Sequence, residues 1–190
     1  MPDLLPVPVT VAWTVMLVAV LVFHCGHLIR MGGQRRWFHS THAVMLLGMV
    51  YMYSFMEFGW HRVPTAVWLW IYLAVIAVII VWMAVRIKKR RPFSFLWILA
   101  LVQQAGMVYM WVPAVYWVAL FSYVMVGYYG LETVAWLCGW CKDNKPGGAV
   151  GPGENSWLVP LNGGSFLDEF SIAVMAASMA YMFLAMQLMI

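Results

Sequence analysis

Charge is scarce in this chain. Asp, Glu, Lys and Arg make up 9% of 190 residues, where a water-soluble domain carries about 25%. The chain therefore lacks the polar side chains needed to cover a water-facing surface, and no water-soluble domain is expected. No nucleotide-binding glycine loop, nucleophile–base pair or catalytic base stands out. The 11 basic residues are split into separate clusters, which argues against a nucleic-acid partner. A di-iron centre would need more histidines and carboxylates than any one region offers.

Apolar side chains fill the space left by charge. Hydrophobic residues make up 65% of the chain and the mean hydropathy is +0.84. Lipid solvates such a surface, and a backbone crossing lipid must satisfy its N–H and C=O groups internally, as a helix does. With roughly 20 apolar residues needed per crossing, the sequence reads as an all-α, polytopic transmembrane bundle of about six helices in a single domain, 1–190. The expected spans are 7–29, 39–58, 65–86, 93–112, 114–138 and 167–190. The glycine- and proline-rich stretch 142–165 reads as a flexible loop. The first span lacks a basic leader and a small-residue cleavage site, so it is kept as a helix.

Orientation follows from Lys and Arg. Arg30, Arg35 and Arg36 follow the first span. Arg86, Lys88, Lys89, Arg90 and Arg91 follow the third, and Lys142 and Lys145 the fifth. Placing these segments in the cytoplasm puts both termini outside, in a plasma membrane (the bacterial inner membrane). The Lys88–Arg91 run would lie near anionic lipid headgroups.

A methionine motif recurs. Residues 43–56 read AVMLLGMVYMYSFM and residues 173–186 read AVMAASMAYMFLAM. Met45, Met49, Met52 and Met56 thus match Met175, Met179, Met182 and Met186. The fourth span repeats the centre as GMVYM, with Met107 and Met110. Three helical hairpins on a common plan would explain the echo. Spacings of 4, 3 and 4 place each set within a sector of roughly 60° on a helix. Methionine packs well against aromatics, and Gly48, Gly106 and Ser178 beside the stripe allow close helix approach. Thioethers also select Cu(I) over hard cations.

Four of the 5 histidines form two HxxH pairs, His24/His27 and His39/His42, near the inner ends of adjoining spans. Residues three apart share a helix face, so one four-imidazole site or two separate sites can form. Cys25 lies beside the first pair. Cys138 and Cys141 form a CxxC at the inner end of the fifth span, which in a reducing compartment is more often a metal or redox site than a disulfide. His61 falls on the opposite side. Glu132 is an intramembrane carboxyl that should face the bundle or reach the interface. Glu57, Asp168 and Glu169 read as solvated span ends, and Gln103 and Gln104 as hydrogen-bonding groups between helices. Imidazole and thiolate suit copper or zinc, and the thioethers favour copper.

The stretch from His39 to Met56, above all HAVMLLGMVYMYSFM, resembles a large group of uncharacterised actinobacterial integral-membrane proteins, a domain of unknown function with H-x-x-M-x-x-x-M helices. The sixth span is similar to their Met-rich last helix. The likeness covers about a third of the chain and leaves out His24/His27 and the CxxC. It implies copper binding without an established activity.

Three functions are expected to compete. The first is a membrane protein that holds or passes Cu(I). The second is a non-catalytic accessory subunit, partnered by lipid and by other membrane subunits or further copies of itself. The third is a b-type haem protein, disfavoured because HxxH places both imidazoles on one helix.

Overall fold

A computed structural model describes residues 7–30, 33–58, 63–89, 96–139 and 166–188. They form α1 (Val7–Arg30), α2 (Gly33–Phe58), α3 (Thr65–Lys88), α4 (Leu96–Trp111), α5 (Ala119–Leu137) and α6 (Phe166–Leu188), with no strand among the described residues. Val7–Arg30, Thr65–Lys88 and Phe166–Gln187 are long and apolar enough to cross a membrane. His61, Cys141, the side chain of Met56 and the expected loop 142–165 lie outside the described residues.

Neighbours in sequence pack most extensively: α1 with α2, α3 with α4, and α5 with α6. Ring contacts fix their directions. Trp82 meets Trp97 and Trp68 meets Trp111, so α3 and α4 run antiparallel. Helices α2, α4 and α6 run together. Their first turns meet where Phe38, Ala100, Ile172 and Ala173 cluster, and farther along Tyr51 reaches Trp111.

These three parallel helices form the interior. In α6, 72% of the apolar stretch is buried, against 17% in α1 and 11% in α3. The outer helices expose whole apolar rows, among them Val11, Val15 and Val22 on α1 and Val78, Val81 and Val85 on α3.

The repeated motif positions Gly48, Gly106 and Ser178 are each met by a tyrosine. Tyr72 on α3 donates to the Val44 carbonyl at 3.3 Å beside Gly48, and Tyr129 on α5 donates to the Val102 carbonyl at 3.3 Å beside Gly106. A Cβ on either glycine would collide with the tyrosine hydroxyl. Glycine thus opens the helix surface so that a buried phenol can bond to a backbone carbonyl four residues upstream. On α6, Tyr53 from α2 donates to the Ser178 carbonyl at 3.3 Å and accepts from the Ser178 hydroxyl at 3.3 Å.

The fifth helix starts later than its expected bound of 114. Residues Ala114–Tyr116 make a 3-10 turn after Pro113, and Trp117 and Val118 are extended. The Trp117 indole donates to the Val112 carbonyl at 2.8 Å, which holds the chain in this short detour. At its other end Gly139 adopts φ 68°, a left-handed conformation that suits glycine and stops the helix.

Candidate functional site

The two HxxH pairs converge. The C-terminal end of α1 packs against the first turns of α2, and all four imidazoles join a contiguous cluster. His24 lies 5.0 Å from His39 and 5.6 Å from His42 between ring centroids, the latter nearly parallel at 10°. His27 lies 5.2 Å from His39. His24, His39 and His42 are buried.

Hydrogen bonding fixes the proton positions. The Ser171 hydroxyl donates to the Asp168 carbonyl at 2.7 Å, so toward His24 Nε2, 3.3 Å away, its oxygen can only accept. His24 therefore carries its proton on Nε2 and offers the Nδ1 lone pair. His39 Nδ1 stands 2.8 Å from that lone pair and must be the donor. His42 Nδ1 donates to the Phe38 carbonyl at 2.8 Å and His27 Nδ1 to the Phe23 carbonyl at 3.0 Å. His27, His39 and His42 thus all carry a proton on Nδ1. At His27 and His42 the acceptor is a backbone carbonyl, the kind of partner that also orients metal-ligating histidines.

The rings stack and bond to one another rather than surrounding a point. Among the described residues, no group of three or more His, Cys, Asp or Glu side chains is arranged to hold a metal ion.

The methionine stripes do meet. Met45, Met49 and Met52 of α2, Met107 and Met110 of α4, and Met175, Met179, Met182 and Met186 of α6 all belong to one buried cluster. Met179 Cε lies 3.0 Å from the point where a Cβ on Gly106 would stand, so the Met179 side chain packs directly on α4. His42 sits one helical turn before Met45, and both are buried. The imidazole cluster and the thioether core thus occupy consecutive buried turns of α2.

A second polar group borders the cluster. Gln103 donates to Glu132 Oε1 at 2.7 Å and lies within hydrogen-bonding reach of the His42 ring. Gln104 donates to the Thr41 carbonyl at 3.0 Å. Both glutamines thus bridge helices as expected, and Glu132 faces inward.

Other expected sites stand apart. Cys25 is exposed and takes no place among the imidazoles. Cys138 is exposed too, lining a cleft of about 210 Å³ with Trp136, Phe166, Glu169 and Phe170. Glu169 is buried rather than solvated, and half-buried Asp168 approaches His27 Nε2 at 3.9 Å. The start of α6 packs on the C-terminal end of α1, where Ser171 meets His24, and this leaves Asp168 only partly open to water. Ser171, which sets the His24 tautomer, was not expected. Its signal was present: extending the α6 methionine stripe back one turn from Met175 reaches it.

No protein-family model, curated protein or solved structure matches the chain.

Proposed function

We propose that this chain is a six-span integral-membrane protein that binds Cu(I) within its helix bundle, where the imidazole cluster passes into the methionine core. The carrying observation is the continuity from His42 to Met45 and on into the buried thioethers. Copper is favoured over zinc on donor chemistry. Structural zinc takes four N, S or O ligands, and no set of three such side chains converges among the described residues. Soft thioethers beside an imidazole lone pair suit Cu(I). His42 Nε2 and the Met45 sulfur are the donors best placed to begin such a site. Bound there, copper would be held away from water; the protein's own residues orient the imidazole and exclude solvent. The exposed apolar rows of α1, α3 and α5 support a lipid-facing exterior, and the basic connections support cytoplasmic loops with both termini outside.

Anaerobic competition of the detergent-purified protein against a chromophoric Cu(I) chelator tests this reading. His42→Ala and Met45→Leu should each weaken Cu(I) binding by tenfold or more while the protein stays helical. Wild-type affinity in both variants would sink the assignment.

A further inference from the structure

Two of the outer helices are fastened to the interior in the same way. Tyr72 of α3 stands against Gly48 of α2, and Tyr129 of α5 against Gly106 of α4. One turn beyond each glycine a second tyrosine bonds to the backbone that leads into the outer helix. Tyr51 donates to the Val63 carbonyl at 3.1 Å and accepts from the Val63 N–H at 3.0 Å. Tyr109 donates to the Val118 carbonyl at 3.3 Å and accepts from the Val118 N–H.

The seam between α6 and α1 repeats this pattern without its bonds. Trp13 meets Tyr181 at 5.9 Å as Trp68 meets Tyr51 at 5.4 Å. Leu17, one turn after Trp13, therefore takes the place of Tyr72, and Ser178 that of Gly48. Leucine has no hydroxyl to give. Tyr181 makes no hydrogen bond to α1 among the described residues. The residue as far before Leu17 as Val63 is before Tyr72 is Pro8, which has no N–H. Two turns before Leu17, the buried Thr10 hydroxyl has no partner among the described residues, whereas Ser122, two turns before Tyr129, meets Tyr109 at 3.3 Å.

The polar contacts between α6 and α1 lie at the other end of the seam, where Ser171 meets His24 at 3.3 Å and Asp168 approaches His27 at 3.9 Å. Ser178 is bound from α2 instead, by Tyr53. In lipid, water does not drive apolar helix faces together, and helices hold by packing and interhelical hydrogen bonds. The N-terminal half of α1 is thus a wall without the fastenings of α3 and α5. Its buried Leu17 and Val20 belong to the same cluster as Met175, Met179 and Met182, so α1 helps to cover the methionine core.

We infer that α1 is a lateral gate: its N-terminal half swings from α6 about the His24–Ser171 end and opens a passage from lipid to the methionine core, while Tyr53 keeps α2 and α6 together. This rests on the membrane-spanning reading above and stands whether or not the core holds copper.

Spin-label distance measurements in lipid nanodiscs test it, with Cys25, Cys138 and Cys141 replaced by serine. Leu184→Cys on α6 is paired in turn with Val11→Cys on α1, Val67→Cys on α3 and Leu120→Cys on α5, all exposed positions. The pair to α1 should show a second, longer population of about a tenth of the molecules, and the other two a single distance each. Leu17→Tyr/Ser178→Gly supplies the missing phenol and the space for it, and should remove the longer population. Tyr72→Phe should create one in the pair to α3. A distribution to α1 as narrow as the other two would overturn the gate. So would a longer population that persists in folded Leu17→Tyr/Ser178→Gly. Should that variant not fold, the wild-type pairs and Tyr72→Phe decide. Protein that alkaline carbonate strips from its membrane would overturn the membrane reading and the gate with it.

Discussion

Gly48 offers a sharp test of how this bundle is held together. A methyl group there would overlap the Tyr72 hydroxyl and stand 2.8 Å from Tyr72 Cζ, atoms of a fully buried ring. The ring would have to move, and its hydrogen bond to the Val44 carbonyl at 3.3 Å would be lost. Overpacking of this kind costs about 1–3 kcal/mol, and the lost bond about 0.5–1.5 kcal/mol. The better helix propensity of alanine returns about 1 kcal/mol. Gly48→Ala should therefore destabilise by about 2 kcal/mol on these figures. Gly106→Ala should be milder, because Tyr129 Cζ stands off at 3.3 Å and the other close atom is the flexible end of Met179. Gly127 and Gly130 have nothing within 4 Å of a new Cβ, so alanine there should be neutral or stabilising. Tyr72→Phe alone removes the bond, and combined with Gly48→Ala its effect should fall short of additive because both changes break the same interaction. Unfolding in mixed detergent micelles, followed by circular dichroism, reads the series. If Gly48→Ala proves as stable as Gly130→Ala, the tyrosine–glycine contact does not hold α3 on α2.

The tautomer assignment predicts that two-bond nitrogen–proton NMR spectra show His24 protonated on Nε2 and His27, His39 and His42 protonated on Nδ1; Ser171→Ala should release His24 from its form and destabilise the bundle by about 1 kcal/mol. Met49→Leu and Met179→Leu nearly conserve volume and should cost less than about 1.5 kcal/mol in stability, yet weaken Cu(I) binding measured by chelator competition; unchanged binding would reduce the methionine core to packing. A C-terminal reporter fusion should be active only outside the cytoplasm, and activity of a cytoplasmic reporter at that position would reverse the orientation read from the basic loops.

Much of this organisation was legible in the sequence because it depends on period and solvent preference. Methionines at spacings of 4, 3 and 4 must share a helix face, and the described members on α2 and α6 are buried together with Met107 and Met110 of α4. Two HxxH pairs at the facing ends of consecutive helices are placed to come close, and they do. What escaped depends on which partner a side chain meets across helices. Nothing in the local sequence of His24 points to His39 Nδ1 or to Ser171, a residue 147 positions away. The burial of Glu169 follows from α6 docking on α1 and α5, not from its place at a span end. The detour at Ala114–Tyr116 was hidden because Pro113 can equally open a helix or precede a turn, and only the Trp117 bond to Val112 decides between them.

Elemental analysis of protein purified from copper-supplied cells, beside a variant with His24, His27, His39 and His42 all replaced by alanine, tests the central claim most directly. Stoichiometric copper in the wild type, lost in a variant that remains helical, is the predicted result. Only trace copper in the wild type, or equal copper in both proteins, would contradict the account.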